Sequence, residues 1–423
     1  MSYQGRIADI SLKERLEARG AILVEGPKWC GKTTTSEQIS KSRLYMHDPA
    51  TKEQNLQLAA MNPSILLQGE TPRLIDEWQL APKLWNAVRF EVDRRNKFNQ
   101  FILTGSAVPA SLDEISHSGT GRISRFLMRP MTLYESGDST GAVSLQKLFD
   151  PNYEVAASVE SDLKKIAYLI CRGGWPKAIG ASKKIALRQA IDYYDGLVNS
   201  DISRVDNKSR NSERAKLLLR SYSRNIGTQI KYEKIRSDIV GNDIESFSIE
   251  TLYDYINALK NIFVIEDSPA WNPNLRSKTA IRTTDTRYFV DPSIATAALG
   301  LNPDDLINDI RTMGFLFENL CIRDLRVYAE AIGGQIYHYR DRNNLECDAV
   351  VHLRNGSYGL VEIKLGGDYL IKEAIKTLNA IEEKIDTTKM KEASFKMVLT
   401  AVGDYAYKRQ DGILIVPIAS LGL

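Results

Sequence analysis

The sequence predicts an α/β chain of several domains that opens on a parallel sheet, and three observations carry this. Residues 21–24, Ala-Ile-Leu-Val, lead through the glycine-bounded stretch Gly26-Pro27-Lys28-Trp29-Cys30-Gly31-Lys32-Thr33-Thr34 into a helical segment. Apolar runs then alternate with amphipathic ones as far as residue 106, the pattern of strands joined by crossover helices. Farther on, Asn355-Gly356 makes a tight turn between two strand-like segments. At 423 residues the chain exceeds one ordinary core, so roughly two to four domains are expected.

Residues 9–19 read as a short amphipathic helix, with Ile10, Leu12 and Leu16 apolar and Gly20 as its stop. The strand and glycine-bounded loop follow. Two glycines let the backbone turn its N–H groups inward around an anion, and the next helix adds unpaired N–H groups and a favourable dipole. Strand, loop, helix is the context a phosphate-binding loop requires. In it Lys32 is expected to reach the β- and γ-phosphates of a nucleotide and the Thr33 hydroxyl to ligate Mg²⁺, with Gly26 to Thr34 as the cradle. Residues 42–46 form a second strand and 52–61 a polar helix. The next apolar strand ends in Asp76-Glu77. Behind a phosphate loop this pair is expected to organise Mg²⁺ through Asp76 and polarise the attacking water through Glu77.

Residues 84–94 give a helix with Leu84, Val88 and Val92 on one face, and residues 101–106 another buried strand with a polar end. Ligands gather at the carboxyl ends of parallel strands, so Thr104 or Ser106 is placed to sense the γ-phosphate. Gly119-Thr120-Gly121-Arg122 sets an arginine in a glycine-rich segment, and Arg122, ahead of Arg125, is the candidate to stabilise charge on a transferring phosphoryl group, in its own chain or a neighbour's. Residues 126–133 read as a last strand, broken by Pro130.

Composition narrows the function classes. A hydrophobic content of 43% and a charged content of 26% are ordinary for a soluble globular protein. A net charge of +3 excludes a global nucleic-acid footprint and leaves only a local one. Cys30, Cys171, Cys321 and Cys347 lie far apart with no CxxC pair, which fits thiols in a reducing compartment and argues against zinc. No apolar run approaches a membrane span, and the first residues lack a signal-peptide pattern. The expected location is the cytoplasm, with no membrane partner.

In its ordered set of motifs the chain resembles the prokaryotic AAA-like ATPases that carry a C-terminal domain of unknown function. The matching residues are Glu25-Gly26-Pro27 with Gly31-Lys32-Thr33-Thr34, Leu74-Ile75-Asp76-Glu77, Leu103-Thr104-Gly105-Ser106 and Gly121-Arg122, then Gly173-Gly174-Trp175-Pro176 and Tyr194 with Asp201-Ile202. The resemblance implies ATP binding and hydrolysis with Mg²⁺, a small helical lid after the sheet, and an oligomer if Arg122 serves a neighbour. Together with the later signals below, the chain is expected to divide into an AAA-like phosphate-loop domain over 1–140, a lid and linker over 141–208, a winged helix over 209–300 and a restriction-endonuclease-like domain over 301–423.

The later segments have their own signals. Residues 137–155, rich in Gly, Ser, Asp and Thr, read as a domain link. Residues 161–171 and 186–201 read as helices, with a Gly-Gly-Trp-Pro turn between them. Helices over 217–226, 231–240 and 249–260, the last capped by Ser248, precede a strand at 262–265, a basic stretch at 276–287 and a returning strand at 288–290. That order suggests a winged helix, though the third helix carries Glu250 and Asp254 with only Lys260 basic, so DNA and protein partners both stay open.

Residues 315–329 form a helix, followed by strands over 335–340, 345–351 and 358–364. Period two puts Glu362 and Lys364 on one face of the last strand, where Asp348 on its neighbour can join them. This core looks like that of the restriction-endonuclease-like nucleases. Asp348 and Glu362 are then the expected Mg²⁺ ligands, Lys364 the residue that orients water, and Glu318 an outer ligand from the preceding helix. A helix over 369–384 and strands over 394–400 and 412–417 close the chain. Beside the ATPase reading stand a metal-dependent DNA nuclease switched by ATP and a nucleotide-regulated binding protein with little turnover.

Overall fold

The alternation over residues 21–104 becomes a five-stranded sheet in the order β2-β3-β4-β1-β5. The structure, a computed structural model, describes residues 3–105, 118–203, 205–206, 208–240, 247–272 and 284–423. It divides into two compact units, the first being Met1–Pro130 with Leu197–Asn211 and Tyr255–Val264. Along this unit run α1 (Ile7–Ala18), β1 (Ala21–Glu25), α2 (Lys32–Ile39), β2 (Ser42–Tyr45), α3 (Lys52–Met61), β3 (Arg73–Asp76), α4 (Lys83–Arg95), β4 (Phe101–Thr104) and β5 (Ile123–Leu127).

Every pairing in this sheet is parallel, in a register that sets Tyr45 against Asp76, Asp76 against Thr104, and Thr104 against Val24. All carboxyl ends therefore lie on one edge. Alternate residues go to opposite faces. Leu23, Ile75 and Leu103 pack with Trp78, Trp85 and Val88 on one side. Ile22, Val24, Leu74 and Ile102 pack with Leu12 and Leu16 of α1 on the other. Covering both faces requires the unbroken apolar runs seen in the sequence.

The last strand differs from expectation. It pairs from Ala21↔Ile123 to Glu25↔Leu127 and stops before residues 128–133. Beyond Glu25 the backbone of β1 turns into the glycine loop and offers no further ladder. Ser106 and the basic residues of 276–283 lie outside the described residues.

The second unit comprises Met131–Gly196, Ser212–Asp254 and Ile265–Leu423. Its strands are β6 (Val143–Ser144), β7 (Ala156–Ser158), β8 (Gly334–Arg340), β9 (Glu346–Leu353), β10 (Tyr358–Lys364), β11 (Phe395–Thr400), β12 (Tyr405–Lys408), β13 (Leu414–Pro417) and β14 (Leu421–Gly422). Seven form one mixed sheet in the order β7-β12-β13-β11-β10-β9-β8, and β6 pairs with β14. The stretch 137–155 is thus no free link. Val143 and Leu145 are fully buried, and the Ser139 hydroxyl donates to the Leu421 carbonyl at 2.7 Å. Its partners come from the far end of the chain, which local reading does not reach.

The helices Ser212–Arg224, Tyr232–Val240 and Ile249–Asn261 appear where expected, and Ser248 accepts the Thr251 N–H at 3.1 Å. The strands after them reduce to the antiparallel bridges Ile265↔Phe289 and Ser268↔Thr286. Arg287, from the basic stretch, is buried: it pairs with Asp267 at 2.8 Å and lies 4.0 Å from the Tyr232 ring centre. It faces the interior, so it is no part of a basic wing.

The Gly-Gly-Trp-Pro turn is a packing device. A Cβ on Gly174 would come 2.1 Å from the Met131 carbonyl oxygen. The Gly174 N–H donates to Asp291 at 2.9 Å, and the Trp175 indole N–H to Ser293 at 2.9 Å. Asp291 also pairs with the fully buried Arg323, whose other partner is Asp324.

Candidate nucleotide site and a buried carboxylate–lysine cluster

The nucleotide site is built where β1 ends. Gly26 has φ +147°, and a Cβ there would lie 2.1 Å from the Met128 carbonyl oxygen, so only glycine fits. Gly31, at φ 102°, is the residue before α2, whose first N–H groups have no side-chain cap. Uncapped N–H groups at a helix start are a ready anion site. Lys32 is buried, and its ammonium donates at 2.8 Å to both the Gly26 and Pro27 carbonyls, inside the turn of the loop.

The other cradle residues divide by direction. Cys30 is fully buried, its thiol 3.4 Å from the Met128 carbonyl oxygen, so it offers the cradle only its backbone. Lys28 reaches outward to Asp201 at 2.5 Å. Trp29 is half exposed at φ 65°, and Thr34 is exposed on α2.

Asp76 lies beside the loop because β3 ends there. Its Oδ1 accepts the Thr33 hydroxyl at 2.8 Å and also the Thr104 hydroxyl, while Oδ2 lies 3.6 Å from His47 Nδ1. Asp76 is 2% exposed. A hydroxyl and a buried carboxylate held in contact form the oxygen donor set that Mg²⁺ takes, so these residues fit the ion. Glu77 follows at φ 55°, half-buried, and accepts from the Gln79 side-chain amide. His47 and Gln79 were missed from sequence. His47 just follows β2, and the rule that ligands gather at strand ends could have found it.

Arg122 is not on this edge. Its carbonyl accepts the Ala21 N–H at 3.1 Å, which places it at the amino end of the sheet. The run from Ala21 to Gly26, at about 3.3 Å per residue, puts it roughly 16 Å from its own loop. Its guanidinium pairs with Asp93 at 2.8 Å, both side chains being nearly half exposed. A role on its own chain's nucleotide is therefore excluded.

In the second unit, β9, β10 and the helix Ile310–Ala331 bring the predicted C-terminal set together. Lys364 Nζ lies 3.0 Å from Asp348 and 2.7 Å from Glu362. Asp348 also accepts the Ile363 N–H at 2.7 Å. Glu318 accepts the hydroxyl of Tyr288, a fully buried side chain that reads in sequence only as a core residue. Burial, reinforced by the Asp348 charge, pushes the Glu362 carboxyl up to about 8 and holds Glu318 well above the usual carboxylate range. Burial works against the charge on Lys364, but Asp348 and Glu362 outweigh it and raise its pKa.

In this arrangement the residues expected as metal ligands are engaged by other groups of the protein. Among the described residues no three His, Cys, Asp or Glu side chains stand as a group that could hold a metal ion. The Lys364 ammonium fills the space between Asp348 and Glu362, and Glu318 is taken up by Tyr288. The cluster as it stands does not fit a cation. No helix among the described residues is long and apolar enough to cross a membrane.

Comparison with known proteins agrees with the first unit. Residues 18–136 match the AAA domain family, and residues 163–305 and 313–421 match two domains of unknown function, DUF8612 and DUF4143. Uncharacterized proteins of Mycobacterium tuberculosis and Mycobacterium bovis are each 24% identical over 371 residues, covering 86% of this chain and 74% of theirs. Among solved structures, the Walker-type ATPase PABY2304 of Pyrococcus abyssi aligns at a TM-score of 0.43 and 14% identity, over 70% of this chain and 96% of that one. With its parallel sheet, glycine loop and family match, the region 18–136 is an AAA-like P-loop domain, which supports ATP binding and hydrolysis in general.

Proposed function

We propose that the chain is a Mg²⁺-dependent ATPase whose site lies on the carboxyl edge of the five-stranded sheet. The observation that carries this is the meeting of Thr33, Asp76 and Thr104 beside the loop that holds Lys32. The backbone N–H groups of the loop and of the start of α2 bind the terminal phosphates. Lys32 exchanges the Gly26 and Pro27 carbonyls for phosphate oxygens. Thr33 and Asp76 would hold Mg²⁺, which when bound draws charge off the phosphates. Thr104 keeps Asp76 oriented, and Glu77 orients the attacking water and takes its proton. Arg122 acts on the nucleotide of another copy, so the active species is an oligomer. Titration of ATP with Mg²⁺ into the purified chain tests this: binding heat should be present, and lost in Lys32→Ala. Heat that persists in the variant, or its absence in both, overturns the reading.

A second reading, DNA cleavage in the second unit, is favoured by the convergence of Asp348, Glu362 and Lys364. That reading requires Lys364 to leave the gap between the two carboxylates before they could hold a metal ion. Cleavage of DNA in Mg²⁺ that is lost on replacing Asp348 or Glu362 by alanine would establish it; unchanged cleavage removes it. Engagement of DNA by residues 209–300 as a winged helix belongs to this reading.

A further inference from the structure

We infer that Arg6 is a positioning residue for the phosphate loop, holding the Cys30 carbonyl outward so that the loop's N–H groups stay turned toward the anion. The inference deepens the nucleotide reading and rests on it. Arg6 precedes α1 and is 7% exposed. Its guanidinium donates at 2.9 Å to the Cys30 carbonyl, inside the loop, and at 2.9 Å to the Arg129 carbonyl, just past β5. The backbone of Arg6 is itself fixed, since its N–H donates to Asp9 at 2.8 Å. Asp9 in turn accepts the Tyr3 hydroxyl at 2.6 Å, and that hydroxyl lies 3.2 Å from Thr35 on α2. One guanidinium therefore joins the loop, the exit from β5 and the start of α1.

The reason such a residue is needed lies in the geometry of an anion cradle. When successive N–H groups converge on an anion, the carbonyls between them point away from it, and each needs a donor. The Gly26 and Pro27 carbonyls are served by Lys32. In the proposed reaction Lys32 leaves them for phosphate. The Cys30 carbonyl is served from outside, by a group with no part in binding nucleotide. Its anchor persists whether the site is filled or empty, and it fixes the peptide immediately before Gly31. Without Arg6 the Cys30 carbonyl can turn into the cradle, where its negative end opposes phosphate.

The test uses the full chain. Binding of ATP with Mg²⁺, and of inorganic triphosphate, is measured for wild type, Arg6→Met, Arg6→Lys and the control Lys32→Ala, beside phosphate release and thermal unfolding. A charge-assisted hydrogen bond lost at the loop should raise Kd in Arg6→Met by about tenfold for both ligands. Both should move together because the cradle, not a base pocket, is disturbed. Arg6→Lys, which can serve one carbonyl but not two, should fall between. Since Glu77 and Asp76 are untouched, KM should rise while the rate at saturating ATP changes little. An Arg6→Met chain that folds and binds both ligands like wild type overturns the inference, as does a fall in saturated rate with KM unmoved. If Arg6→Met does not fold, Arg6→Lys decides by the same criterion. Wild type that binds neither ligand brings down the nucleotide reading and this inference with it. Unchanged Arg6 variants beside a non-binding Lys32→Ala bring down this inference alone.

Discussion

Glu77 is held at φ 55°, a conformation that costs an L-residue about 1 kcal/mol, and it follows directly on the buried Asp76. Backbone strain of this kind clusters at functional sites. Two substitutions separate backbone from side chain. Glu77→Gln keeps the shape but removes the base, so turnover should fall by about 10²-fold or more while ATP still binds. Glu77→Gly should lose turnover equally, yet its unfolding free energy should stay within about 1 kcal/mol of wild type, because glycine relieves the left-handed backbone. Phosphate release and denaturant unfolding read the two effects. A Glu77→Gln chain as fast as wild type removes Glu77 from the reaction. Thr104→Val gives an independent check: Asp76 loses one of two hydroxyl donors, and half-maximal rate should require more Mg²⁺.

At the scale of elements, the join between β1 and α2 tolerates little change. Gly26→Ala would drive a Cβ to 2.1 Å from the Met128 carbonyl oxygen at a φ that disfavours side chains, so it should abolish ATP binding and lower the melting temperature of the first unit. Gly121→Ala, with open space around its Cβ, should bind ATP like wild type and meet only the backbone cost of φ +84°. Calorimetry on both variants checks the contrast. This join was legible in the sequence because its constraints are local: glycine at fixed offsets, an apolar strand before, a helix after. The Asp348, Glu362 and Lys364 set was legible for the same reason, since strand period and one hairpin place it. What the hairpin does not encode is occupancy, and Lys364 closing the gap between two carboxylates is set by distance in space. The pairing of β6 with β14, and of β7 with β12, joins segments far apart in the chain, and strands of two to four residues are too short to carry a periodic signal. The Lys364 cluster also predicts a pH dependence. Folding raises the Glu362 carboxyl from its ordinary 4.5 to about 8 and raises Glu318 in the same sense. The folded state then binds more protons than the unfolded one, so the stability of the second unit should fall as pH rises from about 4.5 through about 8, the span over which Glu362 titrates. Glu362→Gln should flatten that slope in denaturant titrations across the range. A slope unchanged by the substitution shows that the carboxyl does not titrate there.

For the whole molecule, the position of Arg122 turns a catalytic question into one of assembly. All parallel strands present their carboxyl ends to the nucleotide, and Arg122 lies at the amino end, against Ala21. No rotamer spans roughly 16 Å, since a fully extended arginine reaches only about half of that from its Cα. Its ion pair with Asp93 is close to half exposed on both sides, where solvent screens it, so a phosphate can displace it. If Arg122 takes part in turnover, as proposed above, it serves the site of another copy. Two inactive variants then complement each other. Lys32→Ala lacks a working loop but keeps Arg122, and Arg122→Ala lacks the arginine but keeps the loop. Each alone should release phosphate near background. Mixed, they should form pairs in which one intact loop meets one intact arginine, and activity should reappear and rise with protein concentration. A mixture no faster than the average of its components, at concentrations where wild type is fully active, would leave Arg122 as a surface residue paired with Asp93. A single chain would then have to find its charge-stabilising cation elsewhere, and Lys28, paired with Asp201, is the loop's other lysine beside Lys32.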